Sequence, residues 1–153
     1  NFRVNSVWSF IKKILSFVSH MGSWLPAANG VAAAMQYKGE KGVVLTFFGD
    51  GASSQGIVHE SLNYAAVFKL PVVFVINNNQ FAISTPLHEQ AAVETLSLRA
   101  VGYGLPGKTI DGNQVLDVYA AVKQAVDRAR GGAGRFASWR ARARRCPRTR
   151  RPA

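Results

Sequence analysis

The chain has 153 residues, with 19 Lys and Arg against 8 Asp and Glu, a formal charge of +11 and a pI near 10.6. Taken whole, that balance suggests a nucleic-acid binder, yet residues 128–153 hold ten Arg and no acid, while residues 1–127 hold nine basic residues against all eight acids. The body is therefore nearly neutral, and its length allows one domain of roughly 100–150 residues with a real core.

Residues 1–20 are apolar and acid-free. Val7, Ile11, Ile14, Leu15 and Val18 fall near helical spacing, which reads as an amphipathic helix packed on another element. Lys12 and Lys13 interrupt it, and no run approaches the ~20 apolar residues that span a bilayer. A helix on a membrane surface is the alternative, but packing on another element, or an adventitious stretch, is favoured, and no membrane partner is expected. An acid-free, Arg- and Lys-bearing start also has the look of a transit peptide. With Asn1 as its first residue, the chain reads as a fragment or a processed product.

Residues 21–130 have the alternation of an α/β protein. Residues 25–37 are Ala-rich and read as a buried helix with Pro26 in its first turn. A polar turn at 38–42 leads into the β-branched and aromatic run 43–48, as expected of a strand covered on both faces. The run stops at Gly49-Asp50-Gly51. A helix follows over 57–69, and Pro71 opens a second buried strand at 72–76, which ends in Asn77-Asn78-Asn79. Strand, helix and strand within about 35 residues make a βαβ unit, and so predict a parallel sheet with flanking helices. Further on, 87–101 reads as a helix, 108–110 as a short strand and 111–113 as a turn. Val115, Val118, Tyr119, Val122, Val126 and Ala129 mark a last amphipathic helix.

Residues 128–153 break the pattern: Arg, Ala, Gly and Pro fill 21 of 26 positions. Such a segment buries too little apolar surface to order itself, and 131–153 read as a disordered tail. An RNA-binding arm is the functional reading. The change from mostly Lys to only Arg favours a tail without an evolved role, such as GC-rich DNA translated out of frame. The single cysteine, Cys146, lies here, which excludes a disulfide framework and a cysteine-based zinc site. A body without cysteine suits a reducing compartment.

In a parallel α/β sheet, ligands bind outside the carboxyl ends of the strands, and two polar motifs occupy such ends. In Gly49-Asp50-Gly51-Ala52-Ser53-Ser54-Gln55-Gly56, small residues let backbone N–H groups approach a phosphate, and the following helix N-terminus favours an anion. Asp50 would repel a bare phosphate but can hold a bridging magnesium ion. In Asn77-Asn78-Asn79-Gln80-Phe81, amide oxygens are hard, neutral ligands that can complete a Mg2+ shell. Either motif alone is a common turn; at the ends of consecutive buried strands, together they point to a Mg2+-diphosphate site.

The stretch GDGASSQGIVHESLNYAAVFKLPVVFVINNNQFAISTP, with GSWLPAANGVAAAMQYKG before it and DGNQVLDVYAAVKQAVDRAR after it, resembles the thiamine diphosphate-dependent 2-oxo acid dehydrogenases. The resemblance is to the alpha subunit of their first, decarboxylating component, and it covers about residues 21–130. It implies a partial thiamine diphosphate-binding domain in which Asp50 and the Asn79 side chain ligate Mg2+, the Phe81 carbonyl adds a third protein oxygen, and the Gly51 and Ala52 backbones line the diphosphate. It implies attack of the cofactor on a 2-oxo acid, loss of CO2 and transfer of the acyl unit to a lipoyl group on a second, acyltransferase component. It also implies a beta subunit that completes the site in a heterotetramer of two alpha and two beta chains. AISTP and GLPGKTIDGNQVLDVYAAVK look most like pyruvate dehydrogenase alpha subunits, although branched-chain relatives share much of this. The setting implied is a bacterial cytoplasm, or the mitochondrial matrix of a eukaryote.

Several family features differ. Trp24 stands where Gln is usual and Ser19 where Gly is frequent. Residues 1–20 lack the family's cofactor-contacting Arg and aromatic residue, and no His follows His88. His59 and His88 read as structural or solvated, Glu60 as a helix or subunit-contact residue, and Ser53 and Ser54 as helix caps. The piece alone is therefore expected to be inactive, and a truncated relative without activity is the alternative. Resequencing the coding DNA around codons 20 and 130 is expected to reveal a shifted frame that restores a Gly-rich loop upstream and a His-bearing loop downstream. In-frame junctions, with the Arg-rich tail found in the purified protein by mass spectrometry, would refute this.

Overall fold

The computed structural model describes residues 20–131; the expected N-terminal helix and the Arg-rich tail lie outside the described residues. In chain order the elements are α1 (Trp24–Tyr37), β1 (Val44–Gly49), a 3₁₀ turn (Gly51–Ser54), α2 (Gly56–Val67), β2 (Val72–Asn77), a small hairpin of β3 (Phe81–Ala82) and β4 (Thr85–Pro86), α3 (Leu87–Gln90), a second 3₁₀ segment (Leu96–Tyr103) and α4 (Val115–Arg130). β1 and β2 pair in parallel from Val44↔Val72 to Gly49↔Asn77. The α/β class, the parallel pairing and the flanking helices are as the sequence predicts.

Helix ends follow from local chemistry. After α1, Gly39 takes the left-handed conformation at φ 69°, and the Glu40 N–H donates to the Met35 carbonyl at 2.9 Å. That bond closes a Schellman motif, which satisfies carbonyls the helix leaves free. α2 ends the same way, with the Leu70 N–H on the Ala65 carbonyl at 3.0 Å. Here Lys69 occupies the left-handed position at φ 51°, and Pro71 then prevents the helix from resuming.

Alternation along the strands sends side chains to opposite faces. Val72, Phe74 and Ile76 of β2 join Phe48, Leu25, Ala32, Val58 and Leu62 in the larger core, beneath α1 and α2. Asn29 ties these two helices together, its Nδ2 donating to the Ser61 carbonyl at 2.8 Å. On the other face, Val73 meets Ala121, Ala125 and Ala129 of α4. Alanines at four-residue spacing present one smooth stripe of the helix to the sheet.

Four sequence expectations need correction. The run at β1 is not covered on both faces: Phe47 is 67% exposed and Leu45 42%. α4 reaches β2 but not these side chains, and an apolar run looks the same whether its second face is covered or open. The buried side of α4 is its alanine stripe, whereas Val115 and Tyr119 are exposed. Residues 87–101 do not form one helix. Ala91 and Thr95 are extended, so one helical turn is separated from the 3₁₀ segment that brings Leu96 and Ala100 into the core. Residues 108–110 do not form a strand, and Ile110 packs against the second core instead.

The two faces of the sheet predict a contrast. Phe74 is fully buried, and Phe74→Ala is expected to lower the unfolding free energy by about 3–5 kcal/mol. Phe47→Ala should change it by no more than about 0.5 kcal/mol. Urea unfolding of the 153-residue chain followed by circular dichroism checks both.

Candidate cofactor site

The ladder ends at Gly49↔Asn77, so Asp50 and Asn78 are the first residues beyond two neighbouring strands. Asp50 is in helical conformation and only 2% exposed. Its Oδ2 is buried and has no hydrogen-bond partner among the described residues. Burial pushes its carboxyl pKa up, while backbone N–H groups of Asp50 itself, Asn79 and Gly51 pull the other way. The Asn79 backbone N–H thus lies near the Asp50 carboxylate, at the end of the neighbouring strand.

The second motif forms two consecutive Asx turns. Asn78 Oδ1 accepts the Gln80 N–H at 2.9 Å, and Asn79 Oδ1 accepts the Phe81 N–H at 2.8 Å. Side-chain oxygens thus substitute for backbone acceptors and support Gln80 in the left-handed region at φ 75°. Asn78 is buried, whereas Asn79 and Phe81 are exposed. An amide oxygen has two lone pairs, so Asn79 Oδ1 keeps one for a cation.

Gly51 brings the two motifs into contact. A Cβ on Gly51 would lie 2.6 Å from the Ala82 Cβ, a separation that only glycine permits. Ala52 turns its methyl into the core, so its backbone is what remains for a ligand. The 3₁₀ turn leads into α2, and Gln55, which precedes the helix at its N-cap, makes no side-chain cap. The first N–H groups of α2 thus lack a side-chain acceptor and favour an anion.

Ser53 and Ser54 do not cap α2, contrary to the sequence expectation. Ser53 Oγ donates to the Asp50 carbonyl at 2.6 Å, and Ser54 Oγ to the Gln90 carbonyl at 3.4 Å. His59 is held by a hydrogen bond between its Nδ1 and the Tyr103 hydroxyl. His88 is solvated, 3.8 Å from Glu89, and Glu60 is exposed. Sequence reading missed Arg99, which reaches Ser53 from 46 positions away; the turns at Asn78 and Asn79 are those an Asn run commonly forms.

The residues present fit a cation and a diphosphate: a buried, unpartnered carboxylate oxygen, an exposed amide oxygen beside it, and a glycine that keeps the loop open. An α/β protein with an anion-favouring loop and hard oxygen donors at adjacent strand ends is the class this arrangement defines. Within that class, the chain belongs to the dehydrogenase E1 component family, which it matches over residues 9–137. It is 46% identical over 122 residues to the 2-oxoisovalerate dehydrogenase subunit alpha of Bacillus subtilis, covering 80% of this chain and 37% of that one. It is 47% identical over 114 residues to the pyruvate dehydrogenase E1 component subunit alpha of Staphylococcus aureus, covering 74% and 31%. With the 3-methyl-2-oxobutanoate dehydrogenase subunit alpha of Mycobacterium tuberculosis it shares 50% identity over 107 residues, covering 70% and 29%. The chain therefore spans about a third of the length of these relatives. Its fold is similar to an X-ray structure from Mycobacterium smegmatis assigned as a thiamin diphosphate-dependent enzyme, with a TM-score of 0.62 at 25% identity, over 80% of this chain and 22% of that one.

A pH dependence follows from Asp50. A carboxyl whose pKa is raised by folding holds its proton more tightly in the folded state. Its stabilising share is therefore full below the ordinary value near ~4 and is lost as pH rises through the folded value. Asp50→Asn removes the charge and keeps the shape. It is expected to raise the melting temperature of the metal-free chain by a few degrees at pH 7, with the gain closing as pH falls toward ~4. Differential scanning calorimetry across that range checks it; a variant less stable than the parent at pH 7 would count against a strained carboxylate.

Proposed function

We propose that this chain is part of the alpha subunit of a 2-oxo acid dehydrogenase and holds the diphosphate end of thiamine diphosphate through Mg2+. One atom carries the reading: Asp50 Oδ2, buried without a partner at the end of β1. An ionised carboxylate in that position is costly unless a cation compensates it. Asp50 would hold the metal together with Asn79 Oδ1 and the Phe81 carbonyl. Three neutral or singly charged hard oxygens leave room in an octahedral Mg2+ shell for phosphate oxygens and water.

The remaining residues act on geometry. Gly51 and Ala52 would bring the backbone close to the diphosphate, and the uncapped start of α2 adds favourable partial charge. Phe81 is tied to Asn79 through its N–H, which keeps the two proposed ligands on one turn. When bound, thiamine diphosphate supplies the electron sink that allows a 2-oxo acid to lose CO2. A beta subunit would complete the site, as the resemblance to the family implies. Transfer of the acyl group to the lipoyl group of an acyltransferase component is part of the same proposal.

The substrate proposed is a short 2-oxo acid. Pyruvate comes first because AISTP and the 104–123 stretch are most like pyruvate-type subunits, and 3-methyl-2-oxobutanoate comes second. Calorimetric titration of the chain with thiamine diphosphate and Mg2+ is expected to give binding that needs the metal and is strengthened by a beta subunit. Asp50→Asn should weaken it at least about tenfold. Absence of binding with and without the beta subunit would leave the family membership and remove the activity. Comparing decarboxylation of the two acids by the assembled complex then decides the substrate.

A further inference from the structure

The loop that carries Asp50 is held by a residue remote in sequence. Arg99 Nη1 donates to the Ser53 carbonyl oxygen at 2.7 Å and to Ser53 Oγ at 3.1 Å. Ser53 is 3% exposed, and its one hydroxyl proton goes to the Asp50 carbonyl at 2.6 Å. The same carbonyl accepts the Ser53 N–H at 3.0 Å. Donation therefore runs in one direction, from the guanidinium through the serine hydroxyl to the main chain of Asp50. A charged donor at the start of such a chain polarises and strengthens the bond that follows.

The base of Arg99 is itself anchored. Leu96 and Ala100, on either side of it in the second 3₁₀ segment, are buried in the larger core. Tyr103, at the end of that segment, is bonded to His59 of α2. Gly104 closes the segment at φ 66°, with the Leu105 N–H on the Ala100 carbonyl at 3.0 Å. Among the described residues Arg99 makes no ion pair, so its charge is directed at the loop and not at a carboxylate.

We propose that Arg99 is a positioning residue of the cofactor site, acting through Ser53 to fix the peptide at Asp50 and so the direction of its carboxylate. The metal-affinity part rests on the reading of Asp50 as a Mg2+ ligand; the hold on the loop does not. Without Arg99, the turn at Gly51–Ser54 keeps its 3₁₀ bonds and the serine hydroxyl bonds to Asp50 and Gln90 but loses the charged hold on Ser53, and the carboxylate loses its fixed aim. Both bonds come from one nitrogen, Nη1, so a lysine ammonium has donors enough to replace them in part, on a stem of different length and without the rigid planar head.

The test uses the 153-residue chain and its variants Arg99→Met, Arg99→Lys and Ser53→Ala, with two readouts. Amide hydrogen exchange at residues 51–55 is expected to rise about tenfold in Arg99→Met and Ser53→Ala, while exchange in β2 stays within about twofold. The Mg2+ concentration that half-saturates thiamine diphosphate binding should rise about tenfold, with partial recovery in Arg99→Lys. Unchanged exchange at 51–55, or an equal rise throughout β2, overturns the proposal. Should Arg99→Met fail to fold, Ser53→Ala decides, since it breaks the relay by removing one oxygen and keeps the bond from Arg99 to the Ser53 carbonyl. If the unaltered chain binds no thiamine diphosphate, the cofactor reading fails by itself, and the exchange measurement still decides whether Arg99 holds the loop.

Discussion

The parallel ladder between β1 and β2 is the constraint on which the site depends. Its register brings both strands to an end at the same level, Gly49 opposite Asn77. A shift of one residue would carry Asp50 away from Asn79 and would turn Phe74 out of the larger core toward α4. The burial of Phe74, Val72 and Ile76 therefore selects the register, and the register places the polar residues. Core packing and site geometry are two consequences of one alignment.

That alignment leaves a buried carboxylate with an unused oxygen. A fold selected only for stability would place an apolar or hydrogen-bonded residue at position 50, because desolvation of Asp50 opposes its ionisation. The surroundings stop short of neutralising it. Backbone N–H groups of Asp50, Asn79 and Gly51 favour the charged form, yet no Lys or Arg pairs with it among the described residues. Partial support of this kind leaves the carboxylate free of a competing salt bridge, as the proposed Mg2+ site would require. The close approach of Gly51 to Ala82 works in the same direction, because it holds the hairpin against the loop without covering it by a side chain.

Much of this is visible in the residues themselves. The two apolar runs, the helix between them and the polar motifs at their ends carry signals within windows of six to twelve residues, and those elements appear where expected. Asp50 and Asn79 also come together, because consecutive parallel strands align their ends whatever the loops do. The failures share a cause: they concern what lies across space. Leu45 and Phe47 look like core because hydropathy cannot report whether a helix reaches that face. Tyr119 looks like core because helical period marks a stripe without its exact centre, and here the centre is the alanine row. The split of 87–101 depends on Leu96 and Ala100 finding the core, which local propensity does not encode.

Arg99 belongs to that last group, and it shows why a loop motif is an incomplete description of a site. Gly49 to Gly56 accounts for the shape and the charge of the cradle, since glycine and a carboxylate are enough for both. Rigidity has another origin. Its source is a guanidinium delivered by a 3₁₀ segment whose own place depends on Leu96, Ala100 and the His59–Tyr103 bond. His59 and Tyr103 had no chemistry to do in the sequence; in the fold they secure the segment that secures the serine. On the proposal made for Arg99, the order of the Asp50 loop depends on the core packing of a segment about 45 residues downstream. A carboxylate held in this way keeps its aim only as long as that core stays packed.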